Sequence, residues 1–338
     1  MNLIKFEKPI SIVDFSAVGG REEKRGRLKE GFDFFDERDT FGQKTWELAE
    51  AEMARVALNI AIKKAEISHD DIAVLVGGDL QNQCVATSLG LSSFGIPYFG
   101  IYGACSTCTE GLIILSSILS LMGEEKMGAA VTSSHNSAAE RQFRTPVEYG
   151  GQRKGSAQWT ATAAGAFILS NKEGAGRIKI VEAMPGRIVD GATADAANMG
   201  AAMAFAAADT IINYFEISGK NPVDFDYIVT GDLGRVGTNI LTEILEDKLP
   251  SASSRHIDCG NLLYDSKKQD MHSGASGCGT SASVLASYFL PRMISGEIKR
   301  ILLLSTGALM SPTSVMQGQN IYGIAPLIHI SAEEKNAL

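Results

Sequence analysis

Cys105 and Cys108 stand three residues apart in "YFGIYGACSTCTEGLIILSSIL", residues 98–119, at the mouth of an apolar helical run. A thiol placed after a glycine-bearing turn, where a helix begins, meets unpaired N–H groups and the positive end of the helix dipole. Three chemistries fit that position. A lowered thiol pKa makes Cys105 a nucleophile for acyl transfer. The C-x-x-C spacing makes Cys105 and Cys108 a redox pair. The same N–H groups can also hold the carboxylate of a bound ligand, with Cys108 merely buried. A further cysteine, Cys278 in "SGASGCGTSAS", opens a second helical run behind a glycine-rich turn, with Ser281 where a second thiol would stand.

The surroundings of these cysteines narrow the choice. Asp79 closes the apolar strand in "DIAVLVGGDL" and Asp232 the one in "FDYIVTGDLG", and the C-terminal edge of a parallel sheet is a usual ligand position. His135 and Asn136 end the strand after the cysteine helix and can face the same cavity. Arg141, Arg144, Arg153 and Lys154 cluster around a Gly-Gly-Gln turn; they can make charge-assisted bonds to an anion if their loop folds over it. Core packing or a subunit interface explains Trp159 better than ligand stacking does.

The elements that must position these residues occur twice. "CSTCTEGLIILSSILSLMGEEKMGAAVTSS" begins at Cys105, and "CGTSASVLASYFLPRMISGEIKRILLLSTG" begins 173 residues later, at Cys278. Gly123 and Gly296, and Lys126 and Lys299, keep the same 173-residue offset. Both stretches read as helix, Gly-Glu-x-Lys turn and buried strand. Asp79 and Asp232 differ by 153, so one half carries 20 more residues between these landmarks. Each acid-tipped strand follows an Ala-rich amphipathic helix, "WELAEAEMARVALNIAIKKA" or "AANMGAAMAFAAADTIINYF", and each half closes on "AAGAFILS" or "IAPLIHIS". The period is too long for a solenoid. It describes an internally duplicated α/β domain whose helices cover buried sheets, with halves at 1–185 and 186–338.

The 338 residues, 45% hydrophobic and 21% charged, suffice for such a pair of halves. A formal net charge of −8 argues against a nucleic-acid surface. Five cysteines, an odd number, read as reduced thiols of a cytosol-like compartment. The opening "MNLIKFEKPISIVDF" reads as a strand entry rather than a leader, and the apolar run 111–122 is too short to span a bilayer.

The duplication together with "GACSTCTEGL" resembles the thiolase and ketoacyl-synthase superfamily, which implies a five-layered αβαβα fold with the site between the halves. Cys105 takes the position of that superfamily's nucleophile. Two departures follow. The histidine expected after the strand "YIVTGD" is Asp232, and the asparagine expected before the second-half helix is Cys278 or Gly279. Loss of such donors removes about 10²–10³ of rate each. His272, in "HSGASG", sits one residue short of the thiolase histidine spacing.

Over nearly its full length the chain resembles a narrower group, the stage V sporulation protein AD family of spore-forming bacteria. The resemblance is carried by "VGGDLQNQ", "YGACSTCTEGL", "SSHNSAAERQFRTPVEYGGQRKGSAQWTATAAGAFILSN", "IVTGDLGRVG" and "HSGASGCGTSAS". It implies a non-catalytic thiolase-fold protein that binds dipicolinic acid (pyridine-2,6-dicarboxylate), as its calcium chelate, for uptake into the forespore. It also implies a homodimer lying peripherally at the spore inner membrane and working with membrane proteins of the same operon. The ligand-binding set expected is Asp79, Asn82, Cys105, His135, Arg141, Asp232 and Cys278, with no resident metal or cofactor. Asp79 would face the ring nitrogen or the Ca²⁺, which prefers oxygen ligands. The competing reading is an active acyltransferase or condensing enzyme with Cys105 as nucleophile.

Overall fold

Apolar alternation along the strands sorts side chains to two faces, and the helices cover both. The computed structural model describes residues 2–144 and 153–333. The main strands are β1 (Ile4–Gly19), β2 (Ile72–Gly78), β3 (Tyr98–Gly100), β4 (Met127–Ser134) and β5 (Ala163–Ser170) in the first half. In the second they are β6 (Ile178–Met184), β7 (Tyr227–Thr230), β8 (His256–Asp258), β9 (Arg300–Leu304) and β10 (Leu327–Ala332). The first five run β3-β2-β4-β5-β1 across the sheet, and the second five run β8-β7-β9-β10-β6. In each half the first two neighbour pairs are parallel and the last two antiparallel. The two orders are therefore one order used twice. β1 pairs antiparallel with β6, Ile12 opposite Ile178, and this joins the halves along one edge. β6 precedes residue 186 yet edges the second sheet, so a division at 185/186 cuts through that shared seam.

The main helices are α1 (Trp46–Lys64), α2 (Thr107–Leu121), α3 (Asn136–Arg144), α4 (Met199–Ser218), α5 (Gly234–Lys248) and α6 (Cys278–Val284). Thr45 caps α1 by accepting the Leu48 N–H, and the buried stripe Ala49, Met53, Ala57 and Ala61 follows at helical spacing. This stripe packs on Leu75, Val131 and Ile168, while the alternate residues Val74, Val76 and Phe167 point to the opposite face. The second sheet divides the same way. Ile228, Leu302 and Leu304 meet α4, and Val229, Ile301 and Leu303 turn inward. Both inward faces close on one core around Leu112, Leu115 and Leu119 of α2 and Val284, Leu285 and Phe289 of and beyond α6. The layers are thus helix, sheet, paired central helices, sheet, helix: the expected thiolase-like αβαβα arrangement. The segment Ala104–Leu121 is long and apolar enough to cross a membrane by composition alone, but 67% of it is buried here. As the helix of the middle layer it is apolar on all sides for core reasons.

Candidate functional site

The central helices bring Cys105 to the crevice at the C-terminal ends of β2 and β7 and bury Cys278 beside it. Gly103 accepts the Ser106 N–H at 3.1 Å and the Ser106 hydroxyl at 2.6 Å, and its own N–H donates to Thr107 Oγ1 at 3.1 Å. This knot holds Ala104 at φ 53°, a conformation that costs a non-glycine residue about 1–3 kcal/mol. It aims Cys105 outward. Ser106 is the N-cap of α2 and Thr107 its first helical residue, so Cys105 stands just ahead of the helix. The nearest N–H groups are occupied: Ser106 donates to Gly103 O, and Thr107 to Ala104 O at 3.3 Å. The expectation that they hold a ligand carboxylate is corrected accordingly.

The carboxylate at the second cysteine helix comes from the protein itself. Asp232 accepts the Gly277 N–H at 2.8 Å, the Thr306 hydroxyl at 2.9 Å and the Ser276 hydroxyl at 3.3 Å. It also receives the Cys105 thiol as a hydrogen-bond partner. Burial, opposed by these bonds, raises the Asp232 carboxyl to about 7. Burial and then the Asp232 charge push the Cys105 thiol well above its ordinary value. The helix start does not activate this thiol; desolvation and an acid win. Cys278, the first residue of α6, is fully buried and donates to Ser133 O at 3.0 Å.

Around Cys105 opens a cleft of ≈ 40 Å³ of free interior volume, room for about three waters. Its polar lining is Cys105, Tyr102, Thr160, Ser276 and Glu140; Leu80, Phe143, Met199 and Met310 are its larger apolar walls. α3 contributes Ala139, Glu140 and Phe143, spaced i, i+1, i+4 along one face.

Of the expected set, only Cys105 lines this cleft, with Asp232 directly behind it and Cys278 packed in the same small cluster with Leu80 and Ala139. Asp79 does not face the cleft. Fully buried, it accepts the Gln81 N–H, the Thr87 N–H and the Thr87 hydroxyl at 2.7–2.8 Å, which fixes the loop bearing Leu80. Asn82 is exposed, and its N–H donates to Gln142 Oε1 at 2.8 Å. His135 is buried away from the cleft, against Trp46 at 5.3 Å, with Nε2 at 2.7 Å from Asp39 O. Its burial lowers its pKa. Arg141 pairs with Glu47 in the first turn of α1 rather than lining the cleft. Arg153 pairs with Asp270 at 3.6 Å and stacks over Trp159, and Lys154 pairs with Asp195 at 3.2 Å. The side chain of Arg144 and residues 145–152 lie outside the described residues. His272 turns to Asp270 at 3.0 Å and to Lys154 O, in a different depression from Cys105.

Cys108 sits in the core between the sheets, bonded to the Ser281 and Ser305 hydroxyls, and all five cysteines are free thiols. Among the described residues no group of three or more His, Cys, Asp or Glu side chains could hold a metal ion.

Two features escaped the sequence reading. Glu50 lies on the buried stripe of α1, takes bonds from Gln81 (2.6 Å) and Ser133 (3.0 Å), and is raised by burial and by the Asp79 charge. An acid at a core position of an otherwise Ala/Met/Leu stripe was the available signal. Gln142 clamps α3 to the Leu80 loop through Leu80 O and Asn82 N. A lone glutamine on a polar helix gave none.

Several solved structures share the fold over nearly the whole chain. A 3-oxoacyl-[acyl-carrier-protein] synthase III from Aquifex aeolicus VF5 matches with TM-score 0.57 and 14% identity, covering 95% of this chain and 99% of its own. An OleA variant from Xanthomonas campestris, solved with lauric acid and lauroyl-CoA, matches with TM-score 0.61 and 14% identity over 96% and 99%. In sequence, the stage V sporulation protein AD of Bacillus subtilis (strain 168) is 39% identical over 320 residues, 95% of this chain and 94% of that protein. The family model for stage V sporulation protein AD (SpoVAD) matches residues 1–331. With a thiolase-like frame and that match along its length, the chain belongs to the stage V sporulation protein AD family of sporulation proteins.

Proposed function

We propose that this protein binds dipicolinic acid, alone or as its calcium chelate, for uptake into the forespore, and does not turn over acyl groups. The observation that carries this reading is Asp232 beside Cys105. An acyl-transfer thiol needs a base and a stabilised thiolate. Here the facing Asp232 raises the thiol pKa instead of stabilising a thiolate, and no histidine stands among the described residues lining the cleft. The thiol therefore persists as a neutral donor. The thiol and the Ser276 hydroxyl both turn their protons to Asp232, so the donors left for carboxylate oxygens are the Thr160 hydroxyl and the Tyr102 phenol on the cleft wall. Leu80, Phe143, Met199 and Met310 would bracket a planar ring, and the two methionines can move to admit it. Peripheral placement at the forespore membrane, contact with membrane proteins of its operon, and a homodimer complete the proposal.

Titration calorimetry with dipicolinate, with and without CaCl2, tests it. Saturable one-to-one binding is expected. Ala139→Phe, which fills the cleft, should abolish it, and Cys105→Ala should weaken it by less than about tenfold, one neutral bond at most. No binding by the wild type, or undiminished binding by folded Ala139→Phe, overturns the site. The enzymes that share the fold keep acyl transfer as the second reading; multiple turnovers of an acyl-CoA, lost in Cys105→Ala, would establish it.

A further inference from the structure

On the outer face of the second half, α4 and α5 flank an open groove of ≈ 840 Å³. Its apolar floor is Val189, Phe205, Ala208, Ile212 and Ile244. Phe205 is 39% exposed there, and the neighbouring Ile188 is 65% exposed. Positions 205, 208, 212 and 216 share one face of α4, and 243, 244 and 247 one face of α5, so two helices present a continuous trough. The rim is acidic. Asp209 is neutralised by a bidentate pair with Arg187. Glu216, Glu243 and Asp247 make no ion pair with any described residue, and besides Arg187 the one cation of the rim among the described residues is Lys248.

We infer that this groove is a docking site for a cationic amphipathic helix of a protein partner. Two parallel ridges with an apolar floor accept the apolar stripe of a third helix. Three uncompensated carboxylates along the rim select lysine or arginine flanking that stripe and disfavour an anionic lipid surface. The surface is separate from the cysteine cleft, and its occupation does not depend on what that cleft binds.

The probe is a fluorescent helical peptide of about five turns, with leucines at i, i+3, i+4 and i+7 and lysines on both flanks. Its counterpart carries glutamates in place of the lysines. Fluorescence anisotropy with the full chain should show saturable binding of the cationic peptide and none of the acidic one. Glu243→Lys with Asp247→Lys, both exposed and unchanged in melting by circular dichroism, should weaken binding at least ~10-fold, as should raising salt from about 50 to about 300 mM for the wild type. The inference is overturned if the cationic peptide fails to bind, if the double variant or the acidic peptide binds as well as the original pair, or if anionic phosphatidylglycerol vesicles bind the wild type and displace the peptide.

Discussion

Replacing Asp232 by asparagine removes a buried proton whose binding the fold controls. The carboxyl has an ordinary value of 3.8 and titrates at about 7 in the fold, where burial outweighs its bonds from the Cys105 thiol and the Thr306 hydroxyl. Between these two values the folded protein holds a proton that the unfolded chain has released. Stability therefore falls as pH rises through that window and levels off above about 7. At about 1.4 kcal/mol per pH unit the full loss is roughly 4 kcal/mol, of which about 2.5 kcal/mol falls between pH 5 and pH 8. Asparagine keeps an acceptor for the Gly277 N–H and never ionises. Other buried acids add pH dependence of their own: Glu23 (about 7) is common to both proteins and cancels in the difference, whereas Asp258 (about 6), whose charge helps raise Asp232, cancels only in part. The assay is urea unfolding of wild type and Asp232→Asn at both pH values. The variant should gain about 2.5 kcal/mol relative to wild type on going from pH 5 to pH 8. A difference between the two proteins that stays constant with pH refutes the account of Asp232 as a carboxyl kept protonated by burial.

The same electrostatics predict that Cys105 is a slow nucleophile: iodoacetamide at pH 7 should modify it at least ~100-fold more slowly than free cysteine, and faster in Asp232→Asn, as followed by mass spectrometry. Fast modification of the wild type would mean the thiolate is stabilised after all. At the contact between the central layer and the first sheet, a Cβ on Gly279 would stand 2.1 Å from Ala163 O, so Gly279→Ala should cost about 1–3 kcal/mol in urea unfolding. An unchanged midpoint would show that α6 can shift away from β5.

The repeated pattern of acid-tipped strand, cysteine helix and closing strand was legible in the chain because helix and strand periods are local properties of sequence. It was enough to foresee two like halves, and the one strand order used twice agrees with it. The quoted motifs likewise carried the family. What surrounds each side chain was not legible. Asp79 and Asp232 end equivalent strands with nearly the same local sequence, yet one is tied to Thr87 in the short helix Val85–Leu91 and the other meets Cys105. That difference arises because residues from Ser276, Gly277 and Thr306 converge on Asp232 from distant parts of the second half. The thiol pKa was misjudged for the same reason: the helix start is written in the sequence, but the burial and the facing carboxylate that reverse its effect exist only after the halves pack. Sequence determined the two halves and the place of Cys105 in the first; tertiary packing decided which acid that thiol would face, and so whether it would be a base-activated nucleophile or a neutral donor.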